Sequence, residues 1–105
     1  MSEPSARESF EELAAEHLSR PGTGRRTMFG RDCLTANGRN VAFVHDDLLA
    51  LRLPPDLAEA LLTSGEATTP LMGKRAMHNW VAVPQSAVQR WRELLDDAVQ
   101  AAAED

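Results

Sequence analysis

The sequence has 105 residues, 16 acidic against 11 basic, and 43% hydrophobic content, which fits one compact domain able to close a core without staples. A single cysteine excludes an internal disulfide framework, and no apolar run approaches the roughly 18 residues of a membrane span. The opening MSEPSARESFEE is polar and acidic where a secretory signal would be basic then apolar, so a cytoplasmic protein is expected, and the net charge of −5 argues against wholesale binding to nucleic acid.

Ser5 and Glu8 have capping-box spacing, and Phe10, Leu13, Ala14, His17 and Leu18 follow at helical spacing. A first helix is expected from about Ala6 to Ser19, stopped by Pro21 and Gly22. The stretch from Pro21 to Gly24 reads as an open, mobile loop. From Thr27 the composition turns to strand formers. Asn37-Gly38 suits a type I′ turn, so a strand Asp32–Ala36 folds back on Arg39–His45. Asp46-Asp47 makes a second tight connection, Leu48–Leu53 returns as a third strand, and Pro54 ends it.

A second helix of about two turns starts at Pro55 and Asp56, with Asp56 and Glu59 as cap and box partner. It carries Leu57, Ala58, Leu61 and Leu62 and stops at Gly65. The segment from Glu66 to Ala76 resists assignment beyond an edge strand at Thr68–Met72. Met77–Val83 reads as a strand closed by Pro84. Ser86 and Gln89 repeat the capping-box spacing before a third helix with Val88, Trp91, Leu95, Ala98, Val99 and Ala102 on its stripe. That helix is expected to end near Ala102, and residues 1–4 and 103–105 to fray.

The order α-β-β-β-α-β(β)-α, with tight turns between strands, gives an α+β, two-layer fold around an antiparallel sheet. Leu49, Leu51 and Leu53 occupy one face of the third strand and Leu48 and Ala50 the other; Val41 and Phe43 oppose Ala42 and Val44 likewise. With both faces apolar, the second is expected to be covered by a helix of the same chain or by another subunit, as in a homodimer.

The string MFGRDCLTANGRNVAFVHDDLLALRLP, Met28 to Pro54, resembles the N-terminal domain of the TfoX/Sxy family of competence regulators. The Met28-Phe29-Gly30 opening, Cys33-Leu34, the Asn37-Gly38 turn, Val41 to Val44, the acidic Asp46-Asp47 turn and the Leu-rich strand to Pro54 carry it. Gly73, Lys74, Arg75, Met77, Trp80, Val81, Val83 and Pro84 continue it in order. The resemblance implies an α+β architecture similar to secretion-chaperone-like and YjbR-like folds. It also implies a role with transcription of DNA-uptake genes, where full-length members act with the cyclic-AMP receptor protein. Those members have a second, C-terminal helical domain that this sequence is not expected to accommodate, and the family supplies no catalytic residues to transfer.

Met28, Phe29, Arg31, Lys74, Arg75 and Trp80 are candidate partner-binding residues, an aromatic and methionine patch with cations at its rim. Arg25, Arg26, Lys74 and Arg75 form a local basic patch if folding gathers them, which would support direct DNA contact with steep salt dependence. Arg90 and Arg92 belong to the second run of bases. Against these stand plainer readings: Met28 and Phe29 as core anchors, the arginines as solvated surface, both tryptophans as core. Cys33 reads as a small buried hydrophobe, with Arg31 two positions away leaving a reactive thiol as the alternative. His17, His45 and His78 share no metal spacing, and Asp46-Asp47 beside His45 reads as a solvated turn, so no metal or cofactor is expected.

No Ser-His-Asp signature, Walker loop or GxGxxG appears in the sequence. The expectation is a non-enzymatic regulatory or adaptor domain that binds a protein partner, of the transcription-regulator kind the resemblance implies, with no membrane partner. A further alternative is a small-ligand or enzyme site between the second helix and the sheet, which Cys33, His45 and an acid within hydrogen-bond reach would support.

Overall fold

In the computed structural model, which describes residues 5–28, 31–72, 75–76 and 80–104, the first helix, α1, spans Ala6–Leu18. The Glu8 N–H donates to Ser5 Oγ at 3.2 Å and the Ser5 hydroxyl donates to the Glu8 carboxylate at 3.3 Å, so the expected cap is in place. The open loop expected from Pro21 to Gly24 is a tight turn instead. Gly22 reverses the chain at φ 86°, and its carbonyl accepts the Asn37 N–H at 2.7 Å. The Thr23 hydroxyl donates to the His17 and Arg20 carbonyls at the end of α1.

Strand β1 therefore starts at Thr23 and runs Thr23–Met28, paired antiparallel with β2, Arg31–Ala36. The sequence hid this strand because backbone hydrogen bonds hold it, and TGRRTM, exposed from Arg25 to Thr27, has no apolar alternation to read. The Asn37-Gly38 reversal follows with φ of 54° and 79°, the positive pair that a type I′ turn requires. Beyond it lie β3 (Arg39–His45) and β4 (Leu48–Arg52), joined at Asp46-Asp47.

Helix α2 spans Pro55–Ser64. Pro54 holds the cap position with no side-chain cap bond, in place of the expected Asp56–Glu59 box, because Pro55 at the first helical position brings a preset φ and lacks the N–H that a cap would satisfy. Gly65 ends it in the left-handed region, its N–H bonded to the Leu62 carbonyl at 3.3 Å. The edge strand expected at Thr68–Met72 is divided by Pro70. Thr68 makes a two-bond bridge to Ala82, whereas β5 (Leu71–Met72) pairs with β6 (Arg75–Ala76) as a separate small hairpin.

Strand β7 is Trp80–Pro84, one residue past the expected end because Pro84 still pairs with Leu48, and 77–79 of the expected Met77–Val83 lie outside the described residues. After it comes a 3₁₀ segment, Gln85–Arg90, where a capping box was expected; Pro84 caps it without a side-chain bond, and Ala87 leaves helical geometry. Helix α3, Trp91–Glu104, then runs slightly past the expected end. The tighter winding turns Val88 away from the stripe that begins at Trp91, so it is exposed.

The sheet has five antiparallel strands in the order β1-β2-β3-β4-β7. A register shift between Leu34 and Thr35 marks a bulge; Val41 and Ala42 thereby both join the main core. That core lies under one face, where Leu34, Leu49, Leu51, Val81 and Val83 meet Phe10 and Ala14 of α1, Ala58 and Leu61 of α2, and Trp91, Leu94, Leu95 and Ala98 of α3. The other face carries a smaller cluster of Cys33, Phe43 and Ala50 with Trp80 against it. These residues are already buried within one chain, and no described helix contributes to the cluster, so its burial requires neither cover inferred from the alternation. No described helix is long and apolar enough to cross a membrane.

Candidate functional site

The structure describes only part of what the sequence grouped, with Met28 and Arg31 facing each other across the β1–β2 pair. Met28, Arg31 and Arg75 have described backbone only as strand residues, and Phe29 and Lys74 lie outside the described residues. Arg25 meets the Glu11 carboxylate on α1. Arg26 is exposed and its guanidinium lies 3.5 Å from the Gly38 carbonyl. The two side chains point to opposite faces of β1, as strand geometry dictates. Trp80 is half-buried, its ring centroid 5.4 Å from that of Phe43 at a tilt of 46°, so it is tied to the second-face cluster.

Acids claim Arg90 and Arg92 of the later run of bases as well. Arg92 on α3 pairs with Glu16 on α1 at 2.6 Å, and Arg90 at the end of the 3₁₀ segment takes Glu66 at 2.5 Å and Glu93 at 2.7 Å. The hydrogen bond to Glu93, and then the charge of Glu66, raise the Arg90 pKa further above its ordinary value. His17 is buried between α1 and α3, its Nε2 2.8 Å from Asp96 Oδ1. His45 lies 3.5 Å from the Asp46 carboxylate, both exposed. Cys33 faces the second cluster, and burial pushes its thiol pKa up, against smaller lowering effects from the Ala42 and Val41 backbone and from Arg26.

One cavity does lie between the second helix and the sheet. It measures about 270 Å³. Leu61 of α2 lines it with Gly65 and Glu66 just past the helix end, Val83 and Pro84 of β7, Ser86, Ala87, Gln89 and Arg90 of the 3₁₀ segment, and Leu94 of α3. Its described lining includes neither Cys33 nor His45, so the catalytic grouping named as its support does not form there. The Arg90–Glu66 pair spans it. Trp91, fully buried, donates its indole N–H to the carbonyl of Pro84, one of the lining residues, at 3.3 Å. Sequence reasoning named a pocket in this place but missed the Glu66–Arg90 pair that spans it, because the two residues are 24 positions apart and no local spacing links them. The only legible signal was Arg90 and Glu93 at helical distance.

The family model described as the TfoX N-terminal domain matches residues 7–105. The chain belongs to that family. The match takes in every described strand and helix of the TfoX N-terminal domain except the first residue of α1, in keeping with the resemblance carried by Met28 to Pro84. No curated protein and no solved structure matches the chain.

Proposed function

We propose that this TfoX N-terminal domain is a non-enzymatic regulatory or adaptor domain that acts in the cytoplasm by binding another protein, in the control of transcription of DNA-uptake genes. The observation that carries the reading is the family match across nearly the whole chain, together with the competence-regulator pattern in its strands. The distribution of charge supports a protein partner over a polyanion. Arg25, Arg90 and Arg92 are each neutralised by a carboxylate of this chain, which leaves a mixed surface with acids in excess.

The test is native capture with the intact chain as bait, followed by reconstitution of the recovered pair from purified components. A stoichiometric complex with a transcription regulator is the expected result. Recovery of the chain alone, in its self-associated form or as a monomer, would overturn the adaptor reading.

A further inference from the structure

We propose that the outer edge of β1 is a docking site for an extended segment of a partner protein, paired antiparallel through its backbone and carrying a glutamate or aspartate opposite Arg26. The proposal rests on the adaptor reading and names the surface and the partner's chemistry.

The two edges of the sheet differ. At the β7 edge, Thr68 closes the ladder with its two bonds to Ala82. At the β1 edge no described residue pairs on the outer side, and Arg25, Arg26 and Thr27 are exposed. The register assigns the groups left open. The Gly22 carbonyl accepts the Asn37 N–H one step before the Thr23 and Ala36 pair, so by antiparallel alternation the backbone groups of Gly24 and Arg26 face β2. Those of Thr23, Arg25 and Thr27 face outward and offer donors and acceptors to an incoming strand.

Charge selects the strand that comes. β1 reads TGRRTM, two bases and no acid, in a chain of net charge −5. Glu11 of α1 and Asp32 of β2 lie on the helix side of the sheet, where Arg25 and Arg7 engage them. Arg26 pairs across from Cys33, on the opposite face, and meets no carboxylate among the described residues. It begins a cross-strand row that continues through Cys33, Phe43, Ala50 and Ala82. A residue added opposite Arg26 extends that row at a position without hydrogen bonds, where facing side chains approach most closely, so a carboxylate there meets the guanidinium. The same charges disfavour a second copy. In the two longest antiparallel registers that let the outward groups of two β1 strands meet, Arg25 faces Arg25 or Arg26 faces Arg26, and like charges directly opposite are destabilising.

The experiment titrates isotope-labelled full chain with acetyl-Thr-Val-Glu-Val-Glu-Val-Thr-amide, whose valines meet Thr27, Arg25 and Thr23 when its first glutamate meets Arg26. Amide resonances and amide hydrogen exchange are followed. At a peptide concentration of ten times Kd, exchange at Thr23, Arg25 and Thr27 is expected to slow about tenfold, while Gly24 and Arg26, already bonded to β2, stay unchanged. N-methylation of the central valine, whose N–H faces β1, should weaken binding about tenfold, and N-methylation of the first glutamate, whose N–H faces away, by less than about threefold. The peptide with lysine for both glutamates should bind about fivefold more weakly. Arg26→Glu should reverse that preference, weakening the glutamate peptide and tightening the lysine peptide, each by about threefold. A variant that merely unfolds loses both peptides, so the reversal separates recognition from stability.

Equal affinity for the glutamate and lysine peptides, protection without alternation, perturbations centred on the α2 cavity, or no binding at millimolar peptide would overturn the docking edge. Protection of Thr23, Arg25 and Thr27 that grows with protein concentration in the absence of peptide would also overturn it, by giving the edge to a second copy. So would a reconstituted natural partner that binds Arg26→Glu as tightly as the parent and leaves exchange at the outward amides unchanged, and that result would leave the adaptor reading standing. Alternating protection by the glutamate peptide in a chain that captures no partner would support the edge's chemistry and overturn only the adaptor reading.

Discussion

Two buried residues with ionisable side chains set testable limits at the residue scale. Cys33 is 1% exposed, and burial raises its thiol pKa. A raised folded-state pKa means that the folded chain keeps a proton the unfolded chain has released. The stabilising contribution is therefore complete below the ordinary thiol value of about 8.5 and is lost as pH rises through the folded pKa. The sequence has no tyrosine and Lys74 as its single lysine, so few other groups titrate in that window. Urea unfolding of the parent should show stability declining above about pH 8.5, and Cys33→Ala should flatten that slope. Thiol reagents should label Cys33 only as fast as the domain opens. The second residue, His17, draws its described side-chain partner from another element, Asp96. Asp96→Asn keeps the size and removes the carboxylate, and should cost about 1–2 kcal/mol in a urea melt, the lower part of the range being favoured by the half-exposed carboxylate. An unchanged midpoint would mean that the pair adds nothing to the joint between α1 and α3.

At the scale of elements, the hairpin between β2 and β3 is fixed by backbone geometry more than by contacts. Gly38 has φ of 79°, and a Cβ placed there would meet no atom within 4 Å. Gly38→Ala therefore isolates the conformational cost, expected at about 1 kcal/mol by chemical denaturation. A loss far above that would mean that the turn also carries packing. This hairpin was legible because Asn37-Gly38 announces its own dihedral angles, and β4 was legible because a short apolar run stopped by Pro54 reads as a strand buried on both faces. β1 was not, since an exposed strand paired through its backbone leaves no side-chain record. The entry to α3 was misread for a related reason: Ser86 and Gln89 have the spacing of a cap, but Pro84 and the off-helix Ala87 make a 3₁₀ segment there. Leu62 and Val88 were assigned to apolar stripes by spacing, and both are exposed. Their exposure, with the cavity between their elements, is information that arises only when α2, β7 and α3 are brought together.

For the whole molecule, the pairing of its bases decides how it meets a polyanion. Glu11 holds Arg25, Asp32 lies 3.7 Å from Arg7, Glu66 and Glu93 share Arg90, and Glu16 takes Arg92. Phosphates would have to displace those carboxylates against a net charge of −5, and each displacement exchanges one ion pair for another while adding repulsion from the acids left behind. Counterion release, the main source of sequence-independent affinity for duplex DNA, is correspondingly small. Fluorescence anisotropy with a labelled duplex should give no binding tighter than about 100 µM at about 0.15 M salt. Lowering the salt should strengthen any residual binding with a shallow slope, because few phosphates are neutralised. Substituting Glu11 with Gln releases Arg25 beside Arg26 on the edge strand, and should steepen that slope by less than about one charge. A parent protein that binds duplex DNA tightly, with a slope of several charges, would place the contacting cations on residues other than Arg7, Arg25, Arg90 and Arg92 and would move direct DNA contact ahead of protein binding as the domain's mode of action.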